Sequence, residues 1–295
     1  MEFKDLELDD REWIEPLLKA SGFQGCDYTF ANLYIWKDLY RQQVAKIGDM
    51  LCARSRRPGT GEYLYLFPAG NGDLQEAIDF MRRDAKKLGT SFLLRGFGKE
   101  EADKLTAKFP GVFSIESVRD EWDYLYLVED LTQLVGKKYH GKRNHIARFE
   151  NSGEWRFEPL SPANIKACKV MSDIWYSEHA ANGNTGVFVD RGGVDNALCD
   201  FERLGFTGGV LYQFDQVVAF TIGEPLNEDT YVVHVEKAYA EINGAYPMIN
   251  REYVKHMMQE YTYVNREEDD GLEGLRKAKS SYNPIMLEKF VAREL

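Results

Sequence analysis

The last quarter of the sequence, from Thr230 to Leu287, contains the pattern that most restricts the fold. The segment TYVVHVEKAY is rich in β-branched and aromatic residues and is predicted to form a strand. Asn243-Gly244-Ala245 breaks it, and Pro247 opens a predicted helix that runs to about Glu260. A second strand, a second helix and a third strand are predicted in YTYVN, GLEGLRKAKSSY and IMLEKFVA. The order βαβαβ predicts a sheet whose strands are joined by helices.

The glycine turn in this pattern is a candidate binding site for an anionic group. A strand that enters a helix through such a turn presents the positive end of the helix and its unpaired backbone N–H groups to a ligand. Asn243, Gly244 and Ala245 are therefore the predicted residues of the turn that would contact the ligand.

Length and composition favour a folded chain of two domains. A chain of 295 residues is too long for one ordinary domain and suggests two of similar size. With 44% hydrophobic and 13% aromatic residues it can bury a large core, which argues against disorder.

Several classes of protein are disfavoured by the same sequence. No apolar run approaches the ~20 residues that span a bilayer, and the acidic start MEFKDLELDDREW does not resemble a signal peptide, so we expect a cytoplasmic protein. The four cysteines lack CxxC spacing, which indicates neither a zinc site nor a disulfide framework. A net charge of -11 argues against DNA as a partner.

The two halves of the chain show the same order of predicted elements. Each half runs through helices, a hairpin, two strand–helix units and a final strand. The first half includes a helix from an Asp73 cap to about Leu88, a strand in SFLLRGF and a helix at 131–149. The pattern predicts an α/β (α+β) protein with two domains of one architecture, 1–150 and 151–295.

Three segments resemble a known family. VNREEDDGLEGLRKAKSSYNP followed by LEKF, the early DYTFANLYIW and the central KKYHGKRNHIARFE resemble an uncharacterised bacterial branch of the phosphatidylglycerol lysyltransferase C-terminal-domain family. The resemblance covers nearly the whole chain. It implies two tandem GNAT-like domains, each with a mixed, splayed sheet flanked by helices.

The resemblance also implies a reaction. Members of this family are similar to Fem-type peptidyltransferases and lipid aminoacyltransferases, which move an amino acid from aminoacyl-tRNA to an amine or hydroxyl. We therefore expect an acyl- or aminoacyltransferase with a small-molecule or peptide acceptor, with acyl-CoA or aminoacyl-tRNA as possible donors and no certain cofactor. The membrane-spanning part of true lysyl-lipid synthases is not seen in this sequence, which puts a lipid acceptor in doubt.

The glycine turn differs from that of coenzyme A-dependent GNAT enzymes. Their turn reads Gln or Arg, two residues, Gly, one residue, then Gly or Ala. With the first Gly on Gly244, Glu241 stands at the Gln or Arg position and Tyr246 at the small one. A carboxylate repels a pyrophosphate and a tyrosine crowds the backbone, so we expect coenzyme A to bind weakly.

Glu236 and Tyr282 are the candidate catalytic residues. Glu236 lies at the end of the strand before the turn, where this fold has its acceptor site, and a glutamate there can act as general base. The alternative is a surface glutamate paired with a basic residue. Tyr282 follows the last helix, where many GNAT enzymes place a tyrosine that protonates the leaving group, and the alternative is a core tyrosine.

His234, Asn265 and Glu267 are the candidate acceptor-binding residues. His234 precedes Glu236 on the same face of its strand, and Asn265 and Glu267 lie at the end of the next strand. Structural roles in the acidic run 267–270 are an equal alternative. The His-x-Glu spacing lacks a third ligand, so no metal site is predicted.

A basic stretch, 137–148, is the candidate contact for phosphate or tRNA. It holds five Lys or Arg, including Lys138, Lys142 and Arg143, and no acid. The alternative is a solvated helix face or a basic segment paired with the acidic run at 267–270.

Two functions therefore stay open at this point: a tandem-GNAT transferase, and a non-catalytic relative that keeps the fold as a binding or scaffold protein. An open polar cleft beside Glu236 would favour the first, and bulky side chains filling it would favour the second.

Overall fold

The computed structural model describes residues 2–181 and 189–295, and these form two compact units. Unit 1 comprises Met1–Asp123, Glu268–Glu273 and Met286–Leu295, and unit 2 comprises Tyr124–Glu267 and Gly274–Ile285. No helix in the described ranges is long and apolar enough to cross a membrane.

The first sheet has seven strands, with helices against it. Its strands are β1 (Lys4–Asp5), β2 (Gln43–Ile47), β3 (Met50–Arg56), β4 (Tyr63–Gly70), β5 (Leu93–Phe97), β6 (Phe113–Ser117) and β14 (Phe290–Glu294). Its helices are α1 (Arg11–Ser21), α2 (Phe30–Ile35), α3 (Lys37–Tyr40), α4 (Leu74–Leu88) and α5 (Lys99–Lys108). The strand order is β1-β2-β3-β4-β5-β14-β6, with β4 and β5 parallel.

Local sequence explains α4 well. The Asp73 side chain accepts from the Gln75 backbone N–H at 2.8 Å, and Gly89 ends the helix with φ 67. Ala77, Ile78, Met81 and Ala85 recur at helical spacing and are buried, so one face of α4 packs on the sheet. The predicted Asp73 cap and helix are confirmed.

The second sheet also has seven strands. They are β7 (Asp123–Leu127), β8 (Trp155–Pro159), β9 (Thr207–Gln213), β10 (Gln216–Pro225), β11 (Thr230–Ala238), β12 (Tyr263–Asn265) and β13 (Ile285–Leu287). The helices that follow or precede them are α6 (Val128–Gln133), α7 (His140–Glu150), α8 (Ile165–Ala181), α9 (Arg191–Cys199), α10 (Ala245–Met257) and α11 (Glu273–Ser280). The strand order is β13-β7-β12-β11-β10-β9-β8, with β11 and β12 parallel.

The two sheets follow the same plan. In each, five strands lie side by side in chain order, a strand from the other half of the sequence is inserted next, and a sixth strand of the same half closes the sheet. The inserted strand is β14 in the first sheet and β7 in the second. The predicted α+β fold, two mixed sheets flanked by helices, is confirmed. The predicted division at 150/151 has other bounds than the compact units and stays a prediction.

The predicted continuous helix at 131–149 is wrong. α6 ends at Gln133, Leu134 and Gly136 have φ 50 and 92, and α7 begins only at His140. Positive φ cannot continue a right-handed helix, so the chain turns between two short helices. Gly136, immediately before the basic stretch, was the available signal.

Candidate functional site

The candidate site of unit 2 lies where β11 and β12 stop pairing. Their register joins Thr230 with Tyr263 and Val232 with Asn265, after which β12 ends while β11 continues to Ala238. Side chains from the free end of β11 and from the residues after β12 occupy the space between the strands. The pairing between the two strands thus covers three residues of each.

Glu236 and Arg266 form a buried ion pair in this space. Arg266 Nη2 donates to Glu236 Oε1 at 2.7 Å, and each side chain is 12% exposed. Asn250 on α10 donates to the other Glu236 oxygen at 3.3 Å. Glu236 is thus held by Arg266 and Asn250. The basic partner of the structural alternative is present in Arg266, although the Glu236 side chain is mostly buried and not on the surface. Its role as general base stays a prediction.

Three donors around this pair lack an acceptor. Arg266 Nη1 is buried with no hydrogen-bond partner, Lys142 forms no salt bridge with any carboxylate of the described ranges, and the Tyr282 hydroxyl makes no hydrogen bond to a described residue. The Lys142 ammonium lies 3.8 Å from the centre of the Tyr282 ring, and the Arg266 guanidinium carbon lies 5.4 Å from it. Of the three, Arg266 Nη1 is the one sealed from solvent, and a buried charged donor without an acceptor calls for a functional explanation.

The environment also shifts the acid–base properties of these groups. Burial and the neighbouring Arg266 charge lower the pKa of Lys142 to about 8, although Glu236 opposes the shift. Burial raises the pKa of Tyr282, so its hydroxyl keeps its proton near neutral pH. Tyr282 is held from its backbone, since the Tyr139 hydroxyl donates to the Tyr282 carbonyl at 3.0 Å.

His234, Glu224 and Glu267 form a second buried group. The two imidazole nitrogens of His234 lie 2.8 Å from Glu267 and 3.0 Å from Glu224. Burial alone would lower the pKa of His234, but the hydrogen bonds to the two carboxylates raise it to about 9. The imidazolium therefore anchors Glu267, which has φ 58, beside Arg266.

Asn265 contacts the turn after β12, which contains Arg266 and Glu267. Its side-chain oxygen accepts from the Glu267 backbone N–H at 2.8 Å, and Asn265 itself is fully buried. The three predicted acceptor-binding residues, His234, Asn265 and Glu267, thus meet in one place, where they contact one another and shape the turn that carries Arg266. Their binding of an acceptor stays a prediction.

The glycine turn before α10 packs closely on α7. Gly244 has φ 90, and a Cβ there would lie 2.1 Å from the His145 carbonyl oxygen, so only glycine fits. Asn243 Oδ1 lies 2.8 Å from His145 Nδ1, and Ala245 is buried. These contacts give the turn a packing role, and its contact with a donor stays a prediction.

The basic stretch divides into residues with and without internal partners. Lys138 pairs with Asp130 at 3.1 Å, and Arg143 donates to the carbonyl oxygens of Leu134 and Gly136. Lys142 alone of the three faces the Glu236–Arg266 pair. A phosphate or tRNA contact by Lys138 and Arg143 would have to replace these local contacts, and it stays a prediction.

Unit 1 has a buried charge cluster of its own, formed by Cys26, Asp27, Arg95, Asp123, Glu268 and Lys289. The Lys289 ammonium lies 2.6 Å from Asp123 and 2.8 Å from Asp27, and Arg95 lies 3.3 Å from Asp27. Burial alone would raise the pKa of Asp27, but the Lys289 charge lowers it to about 2. Cys26, Asp123 and Glu268 are close enough together to hold a metal ion, but the Lys289 ammonium already supplies the cation for these groups.

Sequence reasoning missed Arg266, which the structure places at the centre of the site. A single basic residue stands there between Asn265 and the acids 267–270. In an acidic turn at the end of a strand, such a residue indicates a buried ion pair, and this was the signal available.

Comparison with known proteins agrees with this fold. A crystal structure of a conserved protein of unknown function from Bacteroides thetaiotaomicron is 40% identical over 99% of both chains, with a TM-score of 0.92. L-PGS from Bacillus licheniformis is 19% identical over 96% of this chain and 91% of that one, with a TM-score of 0.64. A tandem GNAT protein from the clavulanic acid biosynthesis pathway is 11% identical over 99% and 98% of the two chains, with a TM-score of 0.52, which shows a shared fold alone.

No functionally curated protein matches the chain. The family described as phosphatidylglycerol lysyltransferase, C-terminal, matches residues 19–293, which is nearly the whole sequence. The expectation from the three sequence segments is confirmed: the chain belongs to the phosphatidylglycerol lysyltransferase C-terminal family.

Proposed function

We propose that this chain is an aminoacyl- or acyltransferase whose reacting groups lie in unit 2. The observation that carries the proposal is the set of three uncommitted donors, Arg266 Nη1, the Lys142 ammonium and the Tyr282 hydroxyl, beside the Glu236 carboxylate. A carboxylate facing several unsatisfied donors is suited to a reaction in which one group loses a proton while an oxygen gains negative charge.

Each step of acyl transfer has a group that can perform it. The nucleophile forms a bond to the donor's carbonyl carbon while the Glu236 carboxylate accepts the nucleophile's proton. Arg266 Nη1 and the Lys142 ammonium stabilise the negative charge that develops on the carbonyl oxygen. Tyr282 donates its phenolic proton to the leaving group as that bond breaks, and solvent returns the proton from Glu236 to Tyr282. No covalent enzyme intermediate is needed.

Family membership supports an aminoacyl donor over acetyl-coenzyme A. The Glu241 and Tyr246 positions differ from the coenzyme A turn, and the close packing of Gly244 on α7 leaves little room beside the turn for a pyrophosphate. We propose aminoacyl-tRNA as the donor and an amine or hydroxyl of a small molecule or peptide as the acceptor.

One observation favours the alternative, a non-catalytic binding protein. Arg266 Nη1 is sealed from solvent beneath Lys142 and Tyr282, so a substrate can reach it only if these side chains move. If they do not move, the same residues would only hold the fold together.

The test is transfer from tRNA charged with a mixture of radiolabelled amino acids, with acetyl-coenzyme A in a parallel reaction. Label should move from the tRNA into products stable to mild alkali when amines from a bacterial small-molecule extract are present. Glu236→Gln should lower turnover by roughly 10²–10⁴, the usual range for loss of a general base.

Glu228→Gln is the matched control, because Glu228 is an exposed acid in the loop that precedes the same strand. It should leave turnover unchanged. Full activity of the folded Glu236→Gln protein, or no transfer from any charged tRNA, would favour the binding protein instead.

A further inference from the structure

Unit 1 has a surface cavity that belongs to neither charge group described so far. It has a volume of about 360 Å³ and lies at the hairpin loop that joins β3 to β4. Its walls are Leu39, the three arginines Arg41, Arg56 and Arg57, and the loop residues 58–61. We call it the arginine pocket. No acidic residue lines it, which is unusual in a chain with a net charge of -11.

The arginines of the pocket differ from their neighbour Arg54. Arg54 is buried and its guanidinium is satisfied by Asp84 and Gln43. Arg41, Arg56 and Arg57 are exposed. Side chains of a strand point alternately inward and outward, which explains why a single arginine is exposed. It does not explain why three arginines lie around one cavity.

Arg56 is held in place without losing its charge. Its Nε donates to the Gly61 carbonyl oxygen at 3.1 Å, and its guanidinium lies 5.7 Å from the centre of the Tyr63 ring. Gly61 has φ 73, and a Cβ there would lie 3.1 Å from Arg56 Nη2, so the glycine lets the guanidinium lie against the loop. Both Nη groups of Arg56 stay available to a ligand, in a fixed orientation.

The other two arginines are only weakly neutralised. Arg57 lies 3.7 Å from Glu62, and the same carboxylate lies 3.8 Å from Arg293. Arg41 follows α3 with φ 48, and its backbone N–H donates to the Lys37 carbonyl oxygen. Its side chain makes neither an ion pair nor a hydrogen bond with any residue in the described ranges. The backbone amides of Gly59 and Thr60 likewise have no acceptor there. The pocket therefore offers two guanidinium groups without a carboxylate partner among the described residues, a third that shares Glu62 with Arg293, and several free N–H donors.

The arginines and free backbone amides of the pocket favour a ligand that contains phosphate. Guanidinium groups bind phosphate oxygens in a bidentate manner, and backbone amides of a glycine-rich loop add further donors. A single phosphate monoester carries about -1.5 to -2 charges at neutral pH and leaves part of the pocket unbalanced. We propose that the arginine pocket binds a diphosphate group, with Arg41, Arg56 and Arg57 as its ligands. This site is independent of the transfer proposed for unit 2.

The test is a calorimetric titration of the full chain with inorganic pyrophosphate, then with inorganic phosphate, at low and at moderate salt. Pyrophosphate should bind saturably and at least roughly tenfold more tightly than phosphate, because it makes more charge-assisted hydrogen bonds. Affinity should fall as salt is raised. Adenosine diphosphate is titrated in parallel. If the ligand is a nucleotide and not free pyrophosphate, adenosine diphosphate should bind more tightly than pyrophosphate.

Arg56→Gln and Arg41→Gln should each weaken pyrophosphate binding by roughly tenfold or more. Arg203→Gln is the matched control, since Arg203 is also exposed but lies in unit 2, and it should have no effect. Melting temperatures should not change in any of these variants. Absence of saturable pyrophosphate binding, equal binding by the three variants, or binding of only RNA oligomers or anionic lipid vesicles would overturn the proposal.

Discussion

The two units each bury a group of charges beside the parallel strand pair of their sheet, yet the two groups differ in one respect. In unit 1, Lys289 and Arg95 are surrounded by the carboxylates Asp27, Asp123 and Glu121 at hydrogen-bonding or ion-pair distance. In unit 2, Arg266 has one carboxylate partner and one buried nitrogen without any.

Across the described ranges, the buried side-chain nitrogens and oxygens without a partner are Thr132 Oγ1, Ser172 Oγ and Arg266 Nη1, and all three belong to unit 2. Only the last of these carries a charge. The two sheets thus share one strand order but differ in how their buried charges are paired. A satisfied network fixes a structure, whereas an incomplete one keeps donors ready for another molecule. Three predictions on stability test this contrast, in order of decreasing effect.

Lys289→Met should have the largest effect. It removes the ammonium that lies between Asp123 and Asp27 and leaves buried carboxylates unpaired. We expect the free energy of unfolding to fall by about 3–5 kcal/mol, measured by urea denaturation. Lys87→Met, at an exposed pair with Glu2, is the control and should change little. A small loss for Lys289→Met would mean that the cluster of unit 1 is not structural.

Stability should depend on pH through His234. Its folded-state pKa of about 9 lies above the unfolded value of 6.5, so the folded state binds the proton more tightly. This stabilisation is fully present below pH 6.5 and is lost as the pH rises through about 9. Its size is about 3 kcal/mol from the difference between the two pKa values.

His234→Gln should remove this slope between pH 6.5 and 9, as seen by denaturant titrations at several pH values. Because the pKa of Lys142 is lowered on folding, its contribution makes stability rise with pH, opposite to that of His234. The quantity to compare is therefore the difference in unfolding free energy between His234→Gln and the parent at each pH. His256→Gln, at a histidine whose side chain is 46% exposed, is the control. Parallel stability curves for the parent and His234→Gln would show that the imidazolium does not hold Glu267.

Lys142→Met should have the smallest effect on stability, less than about 1 kcal/mol, because Lys142 has no carboxylate partner to leave unpaired. Turnover should instead fall by roughly 10², the scale for loss of one donor to a developing oxyanion. Any change of rate with pH near 8 in the parent should vanish in this variant. Lys166→Met, at an exposed lysine of α8, controls for the loss of one charge in unit 2. A marked loss of stability with intact turnover would place Lys142 with Lys289 as a structural lysine.

Local sequence patterns were enough to predict most elements of the fold. The strand at 230–238, the turn at Gly244 and the helix after it follow from alternation, glycine and helical spacing, all of which act between near neighbours. The insertion of β7 and β14 could not be predicted, because a strand's partners lie far away in the sequence and leave no periodicity in it.

The site was predictable only in its parts. Glu236, Tyr282 and Lys142 were each named from position or composition, and the structure brings them together. Arg266 was missed because its importance comes from a side-chain nitrogen without a partner. A local sequence pattern does not show which partners a buried side chain has. For the same reason His234 and Glu267 looked available to a substrate, although each is a hydrogen-bond partner of the other.

The inserted strands also bear on how the protein is made. Strand β14, residues 290–294, follows the whole of unit 2 in the sequence, yet it lies in the interior of the first sheet between β5 and β6. The first sheet therefore closes only after the chain has passed through unit 2, and until then β5 and β6 keep unpaired edges. Deletion of β14 would leave a gap between these two strands, so a change late in the sequence would damage a sheet whose other strands all lie before residue 118.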